Sequence, residues 1–348
     1  MGILYYFGAF IISAILLSKA QYQSANVKRN LFIIFGLLCC SIFAGIRYKV
    51  GTDYGTYCLI YNRPEYFRNI EKGFITIVKI AKLLGDYKWM FFLSALITSF
   101  FAWMSIIRKD INYFVAFVIY FLCVYAISFN AVRQGIAVSI MMLAFVQLEN
   151  NKYKYFILLT ILASLFHSTA VIAGIAYFFL KIIQNLKKGF IVLAISSIGF
   201  LILFSKYYEH IIRFMEKWEI FERIIKYMDY LDTTNTSNKT FIVKLFIFLL
   251  CALLAKRLIT HNEGNRLYFG LFTLEVAIEK LGSISPYFKR MDMYFVLGEI
   301  VIVSQLFCVG KNRLTRFWIN FLIICFYLLY FSIYALSGYS NLLPYRIK

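Results

Sequence analysis

The chain has 348 residues, of which 61% are hydrophobic, 20% aromatic and only 16% charged, well outside the composition of a soluble globular domain. Lys and Arg outnumber Asp and Glu by 37 to 17, but they fall in short segments between apolar windows rather than on one basic face or arm, which argues against nucleic acid as a partner. Apolar stretches recur from end to end without the alternation of a membrane barrel. The expected fold class is therefore all-α: a polytopic integral membrane protein of about twelve helices, forming one transmembrane domain over 1–348.

The apolar windows lie near 3–18, 30–46, 88–107, 112–128, 134–149, 155–167, 169–183, 189–204, 241–255, 267–284, 291–309 and 317–335. The first has no basic segment ahead of it, so Met1 to Leu17 reads as a retained span rather than a cleaved signal. Tyr6 stands where a myristoylation motif wants Ser or Thr. The short pair of windows around His167 reads as two spans, a hairpin or one kinked span. Six cysteines lie in apolar windows and only Cys58 in a polar one, which gives no disulfide framework, no metal spacing and no expected cofactor.

Basic residues resist translocation, so their loops set the orientation. Lys19/Lys28/Arg29, Arg108/Lys109, Lys152/Lys154, Lys181/Lys187/Lys188, Lys256/Arg257/Arg266 and Lys311/Arg313/Arg316 occupy alternate connections, and all are assigned to the cytoplasm. Both termini are then expected outside, with an outer loop at 47–87 and a second at 205–240. Apolar positions at helical spacing in 70–85 and 207–230 predict an amphipathic helix on the membrane interface in each. The run 232–240 reads as a flexible loop, and its glycosylation patterns at Asn235 and Asn238 are what an Asn/Thr/Ser run yields by chance.

This parity places Arg47, Lys49, Asp53, Asn130, Arg133, Gln134, His167, Lys289, Arg290 and Arg346 on the outer side. Positive-inside bias does not explain an outer Arg. In segments nearly without acidic partners, such an Arg fits an anionic ligand, because its planar fork suits phosphate oxygens. Each residue also has a plainer reading: Arg47 and Arg133 as headgroup anchors, Asp53 as a turn cap, His167 as a helix-end residue, Arg346 as a tail charge. Glu275, Glu279 and Lys280 at helical spacing suggest an internal ion pair ahead of a proton path.

The run Ile46-Arg47-Tyr48-Lys49-Val50-Gly51-Thr52-Asp53-Tyr54, followed by Tyr57, resembles the Arg-x-x-Val-Gly-Thr-Asp-Tyr signature of EpsG-like, Wzy-type bacterial polysaccharide polymerases. Asn130-Ala131-Val132-Arg133-Gln134-Gly135-Ile136-Ala137 is similar to that family's Arg-Gln-x-x-Ala element, and Phe166-His167-Ser168-Thr169-Ala170 to its His corner. Residues 289–295 and 343–346 match weaker elements. The resemblance implies a glycosyltransferase of the bacterial inner membrane that joins undecaprenyl-diphosphate-linked oligosaccharides, as donor and acceptor, into O-antigen, capsule or exopolysaccharide. It is expected to be metal-independent because no carboxylate pair or His/Cys cluster of ligand spacing lies on the outer side. A flippase and a chain-length regulator are its implied partners. Arg133, Arg290 and Arg346 would bind the diphosphate, Asp53 or His167 would take the acceptor proton, and Arg47, Tyr54, Asn130 and Gln134 would shape the donor site. A glycan ligase uses the same chemistry with another acceptor. A lipid-linked-sugar transporter is the reading from a different class, although such proteins place ionisable or helix-breaking positions in two related halves near mid-membrane.

Overall fold

The computed structural model describes residues 2–67, 70–184, 207, 210, 239–282, 290–338 and 340–347. All regular structure among them is helical, apart from a single antiparallel bridge between Arg47 and Ile347. The chain divides into two compact units, Met1–Gly174 with Val303–Lys348, and Ile175–Ile302.

The first unit contains α1 (Gly2–Ala20), α2 (Asn26–Gly45), α3 (Tyr54–Asn62), α4 (Lys72–Leu83), α5 (Lys88–Ile106), α6 (Tyr113–Tyr120), α7 (Val132–Glu149) and α8 (Tyr153–Ser164), with α9 (Ala170–Gln184) leaving it. The second holds α10 (Lys239–Leu253), α11 (Ala255–His261), α12 (Asn265–Leu281) and most of α13 (Leu297–Ser304), and α14 (Arg313–Leu336) returns to the first. Of the described helices, α1, α2, α5, α7 and α14 are long and apolar enough to cross a membrane, which makes this a membrane-embedded protein. Against the twelve spans expected, the described residues hold these five and shorter apolar helices at Tyr113–Phe129, Tyr153–Ser164, Ala170–Gln184, Thr240–Leu253 and Leu297–Val309. The window at 189–204 and the helix expected at 207–230 lie outside the described residues. The window at 267–284 corresponds to α12, whose Arg266, Glu275, Glu279 and Lys280 make it too polar for a plain span.

Helix α7 is the core of the first unit. Every residue from Gln134 to Val146 is buried, because α5 and α8 pack on it and α2 packs on α5 in turn. By contrast, α14 leaves Phe317, Trp318, Phe321, Leu322, Leu329 and Ile333 exposed, the outward face of a helix whose solvent is lipid. The predicted outer amphipathic helix exists as α4, but its apolar stripe of Phe74, Ile77, Val78 and Ala81 is buried. Phe74 meets Tyr57 edge-on at 5.6 Å, and α4 packs on α5. That stripe seals a protein interface rather than lying in headgroups.

The helices of this unit separate two sets of connections. At one end Tyr22 meets Tyr113, Lys109 pairs with Glu149, Gln305 bonds the Asp110 carbonyl at 3.0 Å, and the Asn112 amide reaches Ser304 at 3.2 Å. Two asparagines cap helices there: Asn112 accepts from Val115 and Asn312 from Thr315, each satisfying a first-turn amide. Four of the basic connections therefore share this end. The resemblance-carrying segments of this unit, 47–54, 130–135, 166–170 and 343–346, gather at the other.

Candidate functional site

Past Gly45 the chain leaves α2 and reverses through Lys49 (φ 52°) and Gly51 (φ 97°). A Cβ on Gly51 would lie 2.5 Å from Asn130 Oδ1, so both conformation and space require glycine. That approach lets Asn130 Oδ1 accept from the Thr52 amide at 2.7 Å while its Nδ2 donates to the Ser340 carbonyl at 2.9 Å. Asn130 thus joins the Gly-Thr-Asp turn to the C-terminal tail. The side-chain amide of Asn130, which the resemblance assigns to the donor site, bonds backbone at both ends. The tail is stitched further by the Tyr48 amide on the Arg346 carbonyl at 2.8 Å and the Gly51 amide on Asn341 at 2.9 Å. Tyr345 stacks on Phe43 at 4.2 Å and donates to its carbonyl.

Arg47 lies inside this corner, 1% exposed. Its guanidinium sits 4.4 Å from the Phe91 ring centroid and 4.3 Å from that of Phe129, and Nη1 donates to the Phe129 carbonyl at 3.1 Å. Burial works against its charged form, and the two ring faces with one carbonyl offset that cost. Neither Arg47 Nε nor Ser94 Oγ has a protein hydrogen-bond partner, and both line a small cavity with Thr98, Tyr125 and Ser128. The headgroup-anchor reading fails for Arg47, since protein encloses its charge. Tyr54 is buried beside it and stacks on Phe91 at 5.3 Å, which pushes its phenol pKa up through desolvation.

Arg133 is the second residue of α7, the most enclosed of the long helices. Between α6 and α7 the chain unwinds through a π-helical turn at Phe121–Tyr125 and a 3-10 turn at Ile127–Phe129. The corner closes tightly because a Cβ on Gly135 would lie 2.4 Å from Ser128 Cβ. The first turn of α7 has no acidic residue and no side-chain cap, so Arg133 adds positive charge to an already positive helix end. Its partners come from elsewhere in the unit. Glu71, at the N-cap of α4, pairs with Nη1, and Tyr57 lies close enough to interact electrostatically with the same guanidinium. Burial raises the Tyr57 phenol pKa against the pull of Arg133. The expectation of an outer Arg nearly free of acidic partners is corrected here, because Glu71 supplies one. Signals for Glu71 were present in the polar face of 70–85, but pairing across 62 residues is set by tertiary packing.

Asp53 is half-buried at the N-cap of α3 without a side-chain cap bond. It accepts from the Thr52 hydroxyl at 3.3 Å and lies one helical turn before Tyr57, which feels the charges of both Asp53 and Arg133. His167 Nδ1 is 2.6 Å from Thr169 Oγ1. Its corner reaches the same region through α4, because the Gly73 amide donates to the Leu165 carbonyl at 2.8 Å, two residues beyond Glu71. Gln134 is buried next to Arg133, and the Arg346 side chain is exposed.

Arg290 belongs to the second unit, two residues before Asp292. There Lys244 Nζ contacts Glu275 at 2.9 Å, Glu279 at 3.8 Å and also Asp292. The internal pairing expected of Glu275 and Glu279 is thus to Lys244 from α10, while Lys280 lies over the Phe241 ring at 5.2 Å. A Lys 30 or more residues upstream could not be matched to these carboxylates from helical spacing alone.

No curated protein and no solved structure matches the chain. The EpsG family model matches residues 3–347, spanning the glycine turn, the Arg133 corner, the His167 corner and the tail. The chain therefore belongs to the EpsG family.

Proposed function

We propose that this protein is a polysaccharide polymerase that joins undecaprenyl-diphosphate-linked repeat units by glycosyl transfer on the outer face of a bacterial inner membrane. The observation that carries this reading is the junction of four segments distant in sequence at one end of the first unit. Residues 47–54, 130–135 and 340–347 are bonded to one another, and α4 connects the 165–169 corner to Arg133. Arg133, on the positive end of a buried helix, suits the diphosphate oxygens of a lipid-linked donor. In the reaction an acceptor hydroxyl oxygen attacks the anomeric carbon, its proton passes to a carboxylate or imidazole, and the bond from that carbon to the diphosphate oxygen breaks. Arg133 then stabilises the charge appearing on the departing diphosphate. Arg346 is a further candidate for holding that group, and Arg290 is a candidate for binding phosphate in the second unit.

Deleting the protein in its host and resolving the surface glycan on a gel tests this reading. The expected result is loss of the long-chain ladder with single repeat units still attached. Complete absence of attached units would instead indicate a ligase or a transporter. The orientation has its own test, because four basic connections lie opposite the site. Alkaline phosphatase fused after Arg346 is expected to be active, and a cytoplasmic reporter fused after Lys188 likewise. An inactive phosphatase fusion would place the site on the wrong face for polymerisation.

A further inference from the structure

The contact between Glu71 and Arg133 is built rather than incidental. Glu71 is aimed by the start of α4, which lies so close to the His corner that a Cβ on Gly73 would be 2.7 Å from the Leu165 carbonyl oxygen. The pair is nevertheless incomplete. Glu71 engages Nη1, whereas Arg133 Nε is buried with no hydrogen-bond partner. A carboxylate serving only as a structural counter-ion gains most from the bidentate fork, which satisfies two guanidinium donors at once. The side chains remain 28% and 15% exposed for Arg133 and Glu71, so an incoming group can reach both. Without Glu71 the first turn of α7 would present the Arg133 charge on a positive helix end with no carboxylate of its own.

We infer that Glu71 is an internal stand-in for an anionic ligand: it holds Arg133 in the ligand-free protein and is displaced when two phosphate oxygens take the guanidinium fork. Glu71 is then a specificity-determining residue, because it sets a threshold that a dianionic diphosphate crosses and a weaker anion does not. The identity of the ligand rests on the polymerase reading, but the displacement does not.

The test uses the full chain purified in detergent, with inorganic pyrophosphate, farnesyl diphosphate and the uncharged farnesol as probes, and tryptophan fluorescence as the readout. Glu71→Gln removes the competing charge at constant shape, and is expected to tighten pyrophosphate and farnesyl diphosphate binding by roughly two- to fivefold, the worth of a partly exposed ion pair. Farnesol binding should not change. The gain should vanish in an Arg133→Ala background. Unchanged or weaker anion binding in Glu71→Gln, a gain that survives Arg133→Ala, or no anion binding by any form would each overturn the inference. Glu71→Asp provides a second variant with a shorter reach and a smaller expected gain, and unfolding of both variants would show Glu71 to be structural. If the gain is seen with pyrophosphate while the wild-type protein polymerises no lipid-linked donor, the stand-in role holds and the polymerase reading falls.

Discussion

Arg133→Ala is expected to abolish chain extension, lowering turnover by roughly 10²–10³-fold, the scale of losing one preorganised donor to a developing oxyanion. The protein should still reach the membrane in normal amount. The residue occupies the rim of α7, and the buried run from Gln134 onward that packs the core is untouched. Truncation leaves Glu71 without its partner, but that carboxylate is partly exposed, so the stability loss is about 1 kcal/mol or less. Arg133→Lys keeps the charge and loses the planar fork, and is expected to fail almost as badly. Glycan gels with parallel immunoblots of the membrane fraction report both quantities. Normal ladders in either variant would reduce Arg133 to the partner of Glu71 and Tyr57 in a structural cluster.

Parts of this arrangement were legible in the sequence because they depend on local chemistry. Apolar windows are long-range averages, so they mark helices even where a window is too short for a full span. The Val-Gly-Thr-Asp-Tyr turn was visible because a positive φ at Gly51 is a property of one residue type. The alternation of basic loops located one end of the first unit because orientation is decided loop by loop. What stayed hidden is pairing between elements. Phe91 and Phe129 are ordinary aromatics until Arg47 lies between them, and nothing local distinguishes an Arg buried against ring faces from one aimed at a ligand. The same limit applies to Glu71 with Arg133, to Asn130 with Ser340, and to Lys244 with Asp292. The apolar stripe of α4 is plain in the sequence, but whether such a stripe meets lipid or protein depends on a fold that the stripe itself does not encode.

The two candidates for the acceptor proton make opposite demands, and the geometry favours Asp53. It lies one turn from Tyr57, which feels the charges of both Asp53 and Arg133, so a base there would work near the cation proposed to hold the leaving group. His167 instead has Nδ1 engaged at 2.6 Å with Thr169 Oγ1 inside its own corner, an arrangement suited to fixing the turn that α4 docks against. Asp53→Asn, which keeps the shape and removes the basic oxygen, is therefore expected to reduce polymerisation by about 10²–10⁴-fold, while His167→Gln retains most of its activity. The pH profile provides a second readout. Imidazoles as a class change charge near pH 6.5 and must be unprotonated to accept a proton, whereas carboxylates as a class are ionised throughout the neutral range. With a carboxylate base, activity in proteoliposomes should stay level as pH falls from about 7.5 to 5.5. A decline below about 6.5 that disappears in His167→Gln would transfer the role to the imidazole. Substantial polymerisation by both Asp53→Asn and His167→Gln would show that neither residue takes the proton, leaving stabilisation of the diphosphate by Arg133 and the geometry of donor binding as the sources of rate.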